Sequence, residues 1–142
     1  MATTAPYRVR RGIHPLHAVL LASILPLFLG GLLSDLAYSR SYEIQWSNFA
    51  SWLIAGGMVF TGVVMVWALI DLLRSGQRRG RPLLYLLLLL AVFILGLLNS
   101  FTHARDAWGI MPGATILSAI VAVLAIGAIW VGFSSLRSGD AQ

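Results

Sequence analysis

Three histidines and five acidic residues carry most of the chemistry this sequence could perform. Two of the histidines, His14 and His17, lie three apart in "GIHPLHAVLL". That spacing puts both imidazoles on one side of a helix. With Asp71 from an adjacent antiparallel element they make two histidines and one carboxylate, a ligand set that could hold a divalent metal such as zinc. The commoner fate of such a pair is a ring at a membrane interface, apolar body inward and nitrogen to the headgroups. The second set is Asp35, Glu43, His103, Arg105 and Asp106, with Tyr38, Tyr42 and Asn99 able to hydrogen-bond among them. It suits a docking or small-molecule site with His103 as the titratable member. As an ordinary loop it would instead pair Arg105 and Asp106 with Glu43 or Arg40, in exposed ion pairs of little energy.

From His17 to Asp35 is eighteen residues, roughly 27 Å along a helix, so the two sets lie a membrane apart. This separation constrains haem b. Two axial histidines must flank one iron, and His17 and His103 fall at opposite faces, while His14 and His17 share a side. An intrasubunit bis-histidine haem is therefore excluded. A haem would need Met65 beside His17, Met111 beside His103, or histidines from two subunits.

The elements that must position these residues are four apolar runs, at about 17–38, 50–70, 83–98 and 115–133. Each approaches the ~20 residues that cross a hydrocarbon core; the third is short and should extend. The expected architecture is an all-α, four-helix integral membrane bundle over 14–136, between a basic tail (1–13) and a short tail (137–142). Eight of the ten arginines fall in the two tails and the "RSGQRRGRP" loop, leaving only Arg40 and Arg105 in the other loops. The positive-inside rule then puts both termini in the cytoplasm. Trp46, Trp52 and Trp108 belong at the outer interface, Trp67 and Trp130 at the inner one. Small-residue pairs (Gly30/Ser34, Gly57/Thr61, Ser118/Ala122, Ala128/Gly132) mark contact faces. The leucine-rich third run faces lipid or a partner. Pro26 should kink the first helix. No ionisable group lies in mid-span, where pumps place them, and Ser23, Thr61 and Ser118 are expected to bond to their own helix.

Composition agrees. The chain is 58% hydrophobic and 11% charged, with a mean hydropathy of +0.84; a soluble domain carries roughly a quarter charged residues. Without cysteine there is no disulfide, thiolate metal site or cysteine nucleophile. Arginines beside apolar runs argue against nucleic acid, and no motif points to an enzyme class.

"HPLHAVLL", "LPLFLGGLLSDLAY", "QWSNFASWLIAGG" and "HARDAW" with the following "MP", in that order, resemble the bacterial inner-membrane family of unknown function numbered 2231. Many members carry a further histidine shortly after HPxH; here "AVLLASILP" has none. The resemblance implies a multi-pass inner-membrane protein and, loosely, a link to periplasmic sugar-dehydrogenase-like proteins and four-helix haem-b proteins. Three functions follow as expectations: a non-catalytic membrane subunit or anchor for a partner such as a periplasmic oxidoreductase; a haem-b or quinone-linked electron-transfer module; and a metal-binding protein using His14, His17 and Asp71. A homo-oligomer is compatible with all three.

Overall fold

The computed structural model describes residues 14–76, 79–105 and 109–137. Of the residues named above, Asp106 and Trp108 lie outside them, as do the arginines of the basic tail and Arg78 of the "RSGQRRGRP" loop. The described residues form four helices, α1 (Pro15–Ser41), α2 (Ile44–Ser75), α3 (Arg81–His103) and α4 (Gly113–Arg137). All four are long and apolar enough to cross a membrane. They exceed the predicted runs because capping residues and polar first and last turns carry no apolar signal. The third extends at both ends.

Local chemistry sets the boundaries. Pro15 opens α1, where its missing N–H removes no helical bond, and Nδ1 of His14 accepts the Leu16 N–H at 3.3 Å. Tyr42 closes α1 in the left-handed conformation (φ 55°) and donates its N–H to the Tyr38 carbonyl at 2.8 Å. Only Tyr42 and Glu43 separate α1 from α2, so the two helices must run antiparallel. Gly76 (φ 66°) ends α2, the usual glycine stop. Helix α1 is continuous through Pro26, which faces outward and so crowds no neighbouring helix.

Each helix packs on the next and α4 returns to α1, making a ring. The register is antiparallel at every step. Gly30 meets Leu53 and Gly57 meets Phe28 between α1 and α2, and Gly62 meets Phe93 between α2 and α3. On α4, Gly132 approaches Leu21 of α1 and Tyr85 of α3, while Ser118 meets Asn99 of α3. Helices α1 and α3 are thus parallel and lie diagonally across the interior.

The interior is filled by Leu21, Ile24, Phe28, Ile54, Val64 and Leu89 among others, and many apolar side chains point outward, such as Val19, Leu33, Val59 and Val123. That inverted surface is what lipid requires. Lipid gives helices no hydrophobic reason to associate, so close backbone approach must do it. A Cβ on Gly57 would stand 3.0 Å from the tip of Phe28, and one on Gly96 3.5 Å from the same atom while colliding with Met58. Phe28 therefore occupies a slot between glycines of α2 and α3. The small-residue pairs all lie at least partly inside: Ser34, Thr61, Ser118, Ala122 and Ala128 are buried. Helix α3 is the least enclosed, with 22% of its most apolar segment buried against 28–33% in the others.

Gly57→Val should expel the Phe28 ring and lower the thermal midpoint in mild detergent, at about 1–3 kcal/mol of overpacking. Gly127→Ala, with nothing within 4 Å of the added carbon, should leave the midpoint unchanged or raise it, since alanine is the better helix former.

Candidate functional site

The first polar cluster is at the C-terminal end of α1. Asp35 is fully buried there, six residues before the helix ends. Nε2 of His103 lies 2.8 Å from Asp35 Oδ1, and the Ser118 hydroxyl donates to Oδ2 at 2.5 Å. Asn99 Nδ2 donates to Ser118 Oγ at 2.8 Å. The Asn99 backbone carbonyl, one turn before His103 on α3, lies 2.9 Å from His103 Nδ1. These bonds close a ring through three helices: Asp35 from α1, Asn99 and His103 from α3, Ser118 from α4.

Donor and acceptor roles in the ring follow from chemistry. A backbone carbonyl only accepts, so His103 Nδ1 carries a hydrogen. The bond between Nε2 and Oδ1 then needs one proton, held by the imidazolium or by the carboxylic acid. In either arrangement the pair is neutral overall, which makes a fully buried aspartate tolerable in an apolar interior. Asn99 Oδ1 is buried without a hydrogen-bond partner and leaves one acceptor open beside the pair.

The second cluster is at the opposite end. His17 is buried and its Nε2 lies 3.0 Å from the Tyr85 hydroxyl. Trp67 of α2 covers both N-terminal histidines: its ring centroid is 5.2 Å from that of His17, edge-on, and 5.4 Å from that of His14. His17 Nδ1 has no partner.

The structure rearranges the expected sets. Among the described residues no three His, Asp or Glu converge as metal ligands. His17 turns inward to Tyr85, whereas His14 and Asp71 remain on the exposed surface. Of the other set, Asp35 and His103 come together, and Asn99 joins them. Glu43 and Arg105 are exposed and form no ion pair with each other, nor does Arg40 with Glu43, among the described residues. Asp106 lies outside those residues. Asp35 faces the bundle interior and pairs there with His103, apart from the loop residues. Ser118 also departs from expectation. Ser23 and Thr61 bond to carbonyls of their own helix, but Ser118 faces a stronger acceptor, the Asp35 carboxylate.

The residues do not fit haem. Nε2 of each buried histidine is already engaged across the α1–α3 diagonal, and Phe28 fills the space between the two ends. Met111 Sδ accepts from the Thr115 hydroxyl at 3.1 Å, and Met65 packs on the apolar core. The side chain of His103 is 2% exposed and His17 is 6% exposed, too enclosed for either to ligate iron jointly with a second subunit.

Tyr85, Trp67 and Ser118 are the partners that sequence reasoning missed. A signal existed for one of them. Tyr85 follows Arg81-Pro82 at the start of α3, much as His17 follows His14-Pro15 at the start of α1, which sets both rings near the same membrane face.

Fold and clusters together define a four-helix, multi-pass membrane protein whose polar residues join helices to one another. The chain belongs to the family described as predicted membrane protein (DUF2231), whose model matches residues 13–136. No curated protein and no solved structure matches it.

Asp35→Ala should be the most damaging single change in the polar clusters, because it leaves His103 Nε2 and the Ser118 O–H buried without their shared partner, at a cost of about 1–3 kcal/mol. Tyr85→Phe, which removes one neutral bond, should cost about 1 kcal/mol. In unfolding measurements in detergent, Asp35→Ala and Ser118→Ala should be non-additive, while Asp35→Ala and Tyr85→Phe, at opposite ends, should add within about 0.5 kcal/mol. Additivity within the first pair would contradict the ring.

Proposed function

We propose that the protein is a non-catalytic membrane subunit of the bacterial inner membrane, an anchor that holds a partner at the end of the bundle bearing Asp35 and His103. The observation that carries this reading is that the buried titratable groups are engaged with one another between helices. His17 is bonded to Tyr85, and Asp35 to His103 and Ser118. That is the arrangement of a scaffold held in one register and not of a site presented to a substrate. The arginine distribution supports a periplasmic position for this end. Here α2 begins with Ile44, Trp46, Phe49 and Trp52 all exposed. Aromatic anchors of this kind are enriched both at membrane interfaces and in protein contacts. A water-soluble periplasmic protein, such as an oxidoreductase, is the partner class this placement suits.

Photo-crosslinkers placed singly at exposed Phe101 (outer end) and exposed Leu73 (inner end) test this in native membranes. The expected result is one discrete adduct with a water-soluble protein from position 101 and none from 73. Recovery of the uncrosslinked chain from both positions would overturn the reading.

A quinone-linked module is the second reading, and Asn99 Oδ1 favours it. The acceptor lies beside a pair that shares a proton but is fully buried, so this reading requires the bundle to open for a quinol hydroxyl to reach it. Binding of a short-chain quinol to the purified protein, lost in His103→Gln and in Asn99→Leu, is its expected signature. Equal binding by wild type and both variants would remove it.

A further inference from the structure

A groove of about 430 Å³ runs along the outer face of α4, apart from both polar clusters. Its floor is Ile126, Ile129, Trp130 and Phe133 of α4, with Leu25 of α1 at one edge; Arg81 of α3 and Ser134 line its other end. The α4 residues fall at i, i+3, i+4 and i+7, a single face of the helix. From Ile126 to Ser134 is about 12 Å of helix, close to the ~15 Å of hydrocarbon in one leaflet. The volume is within the ~300–1,000 Å³ of small-molecule sites. We propose that this groove is a binding site for one anionic phospholipid, with an acyl chain along Ile126, Ile129 and Phe133 and the phosphate at Arg81.

The charge at one end decides the class of occupant. Bilayer hydrocarbon is as apolar as the groove floor, so the floor alone selects no lipid over another; selection must come from the headgroup. Arg81 opens α3, whose first turn holds no acidic residue and whose N-cap, Gly80, has no side chain to satisfy the leading amides. The exposed Arg79 precedes it. A guanidinium forks onto two phosphate oxygens, and the positive end of the helix adds to the attraction. Trp130, 71% exposed, is placed to lie beside glycerol and carbonyl groups at the interface. A second copy of the chain is a poorer occupant. The apolar floor covers one leaflet only, and a two-fold contact across it would oppose the two Arg81 charges.

The test uses the full chain in nanodiscs or mild detergent, with phosphatidylglycerol and phosphatidylethanolamine of identical acyl chains, and native mass spectrometry as readout. One retained phosphatidylglycerol is expected, preferred about fivefold, the factor equivalent to about 1 kcal/mol per basic residue at an anionic lipid surface. Arg81→Gln should bring the two lipids to equal retention, and Arg81→Lys should keep most of the preference. Ile126→Trp, which fills the groove, should reduce retention of both lipids alike. Equal retention of the two lipids by wild type, or a preference indifferent to Arg81→Gln, would overturn the proposal. So would a dimer whose crosslinks join Ile126 of one copy to Trp130 of the other.

Discussion

The diagonal between α1 and α3 is the constraint around which the bundle is arranged. The two helices are not ring neighbours, yet they meet at both ends and at the middle in one parallel register. At one end α1 supplies the histidine and α3 the hydroxyl, His17 to Tyr85. At the other, α3 supplies the histidine and α1 the carboxylate, Asp35 to His103. Between them Phe28 of α1 faces Gly96 of α3. A hydrogen bond tolerates only a few tenths of an ångström of displacement. Two of them, roughly 27 Å apart along the helix, therefore fix both the axial offset and the rotation of the pair. A one-residue slip of either helix would break both bonds and remove Gly96 from beneath the phenyl ring.

The neighbouring helices complete what the diagonal begins. Helix α4 contributes Ser118 to the carboxylate, and Asn99 of α3 supports that hydroxyl in turn. On the opposite side and at the opposite end, α2 lays Trp67 across the His17 ring. Each polar contact is thus backed by a different neighbour, α4 at one end and α2 at the other. In lipid such contacts average well below 1 kcal/mol net, so the larger part of packing falls to close backbone approach at Gly30, Gly57, Gly96 and Gly132. The polar contacts add direction: they distinguish one register from others that would bury similar apolar area.

A polar ring inside a membrane bundle is also open to use. The proton held between Asp35 and His103 lies beside the unmet oxygen of Asn99. A scaffold reading and a quinol reading differ in whether that acceptor stays unmet. The groove along α4 is independent of both, since its selectivity resides in Arg81 at the surface.

Much of this was legible in the residues themselves. Spans, helix order, inward glycines and the separation of two polar sets follow from apolar run length, small-residue spacing and the rise of a helix. These are properties of each segment taken alone, and the bilayer acts on each segment alone. Asp35 and His103 were legible as members of one set for the same reason, since both stand at one end of their spans. The partners were not. Whether His17 reaches Asp71 or Tyr85, and whether Ser118 bonds backward to its own helix or across to Asp35, depends on rotation of each helix about its axis. Here a span is apolar on all sides, so hydrophobicity assigns no inner face. Only the packing of the four helices together sets that rotation, through the Phe28 slot and the two diagonal bonds, and with it which polar groups meet.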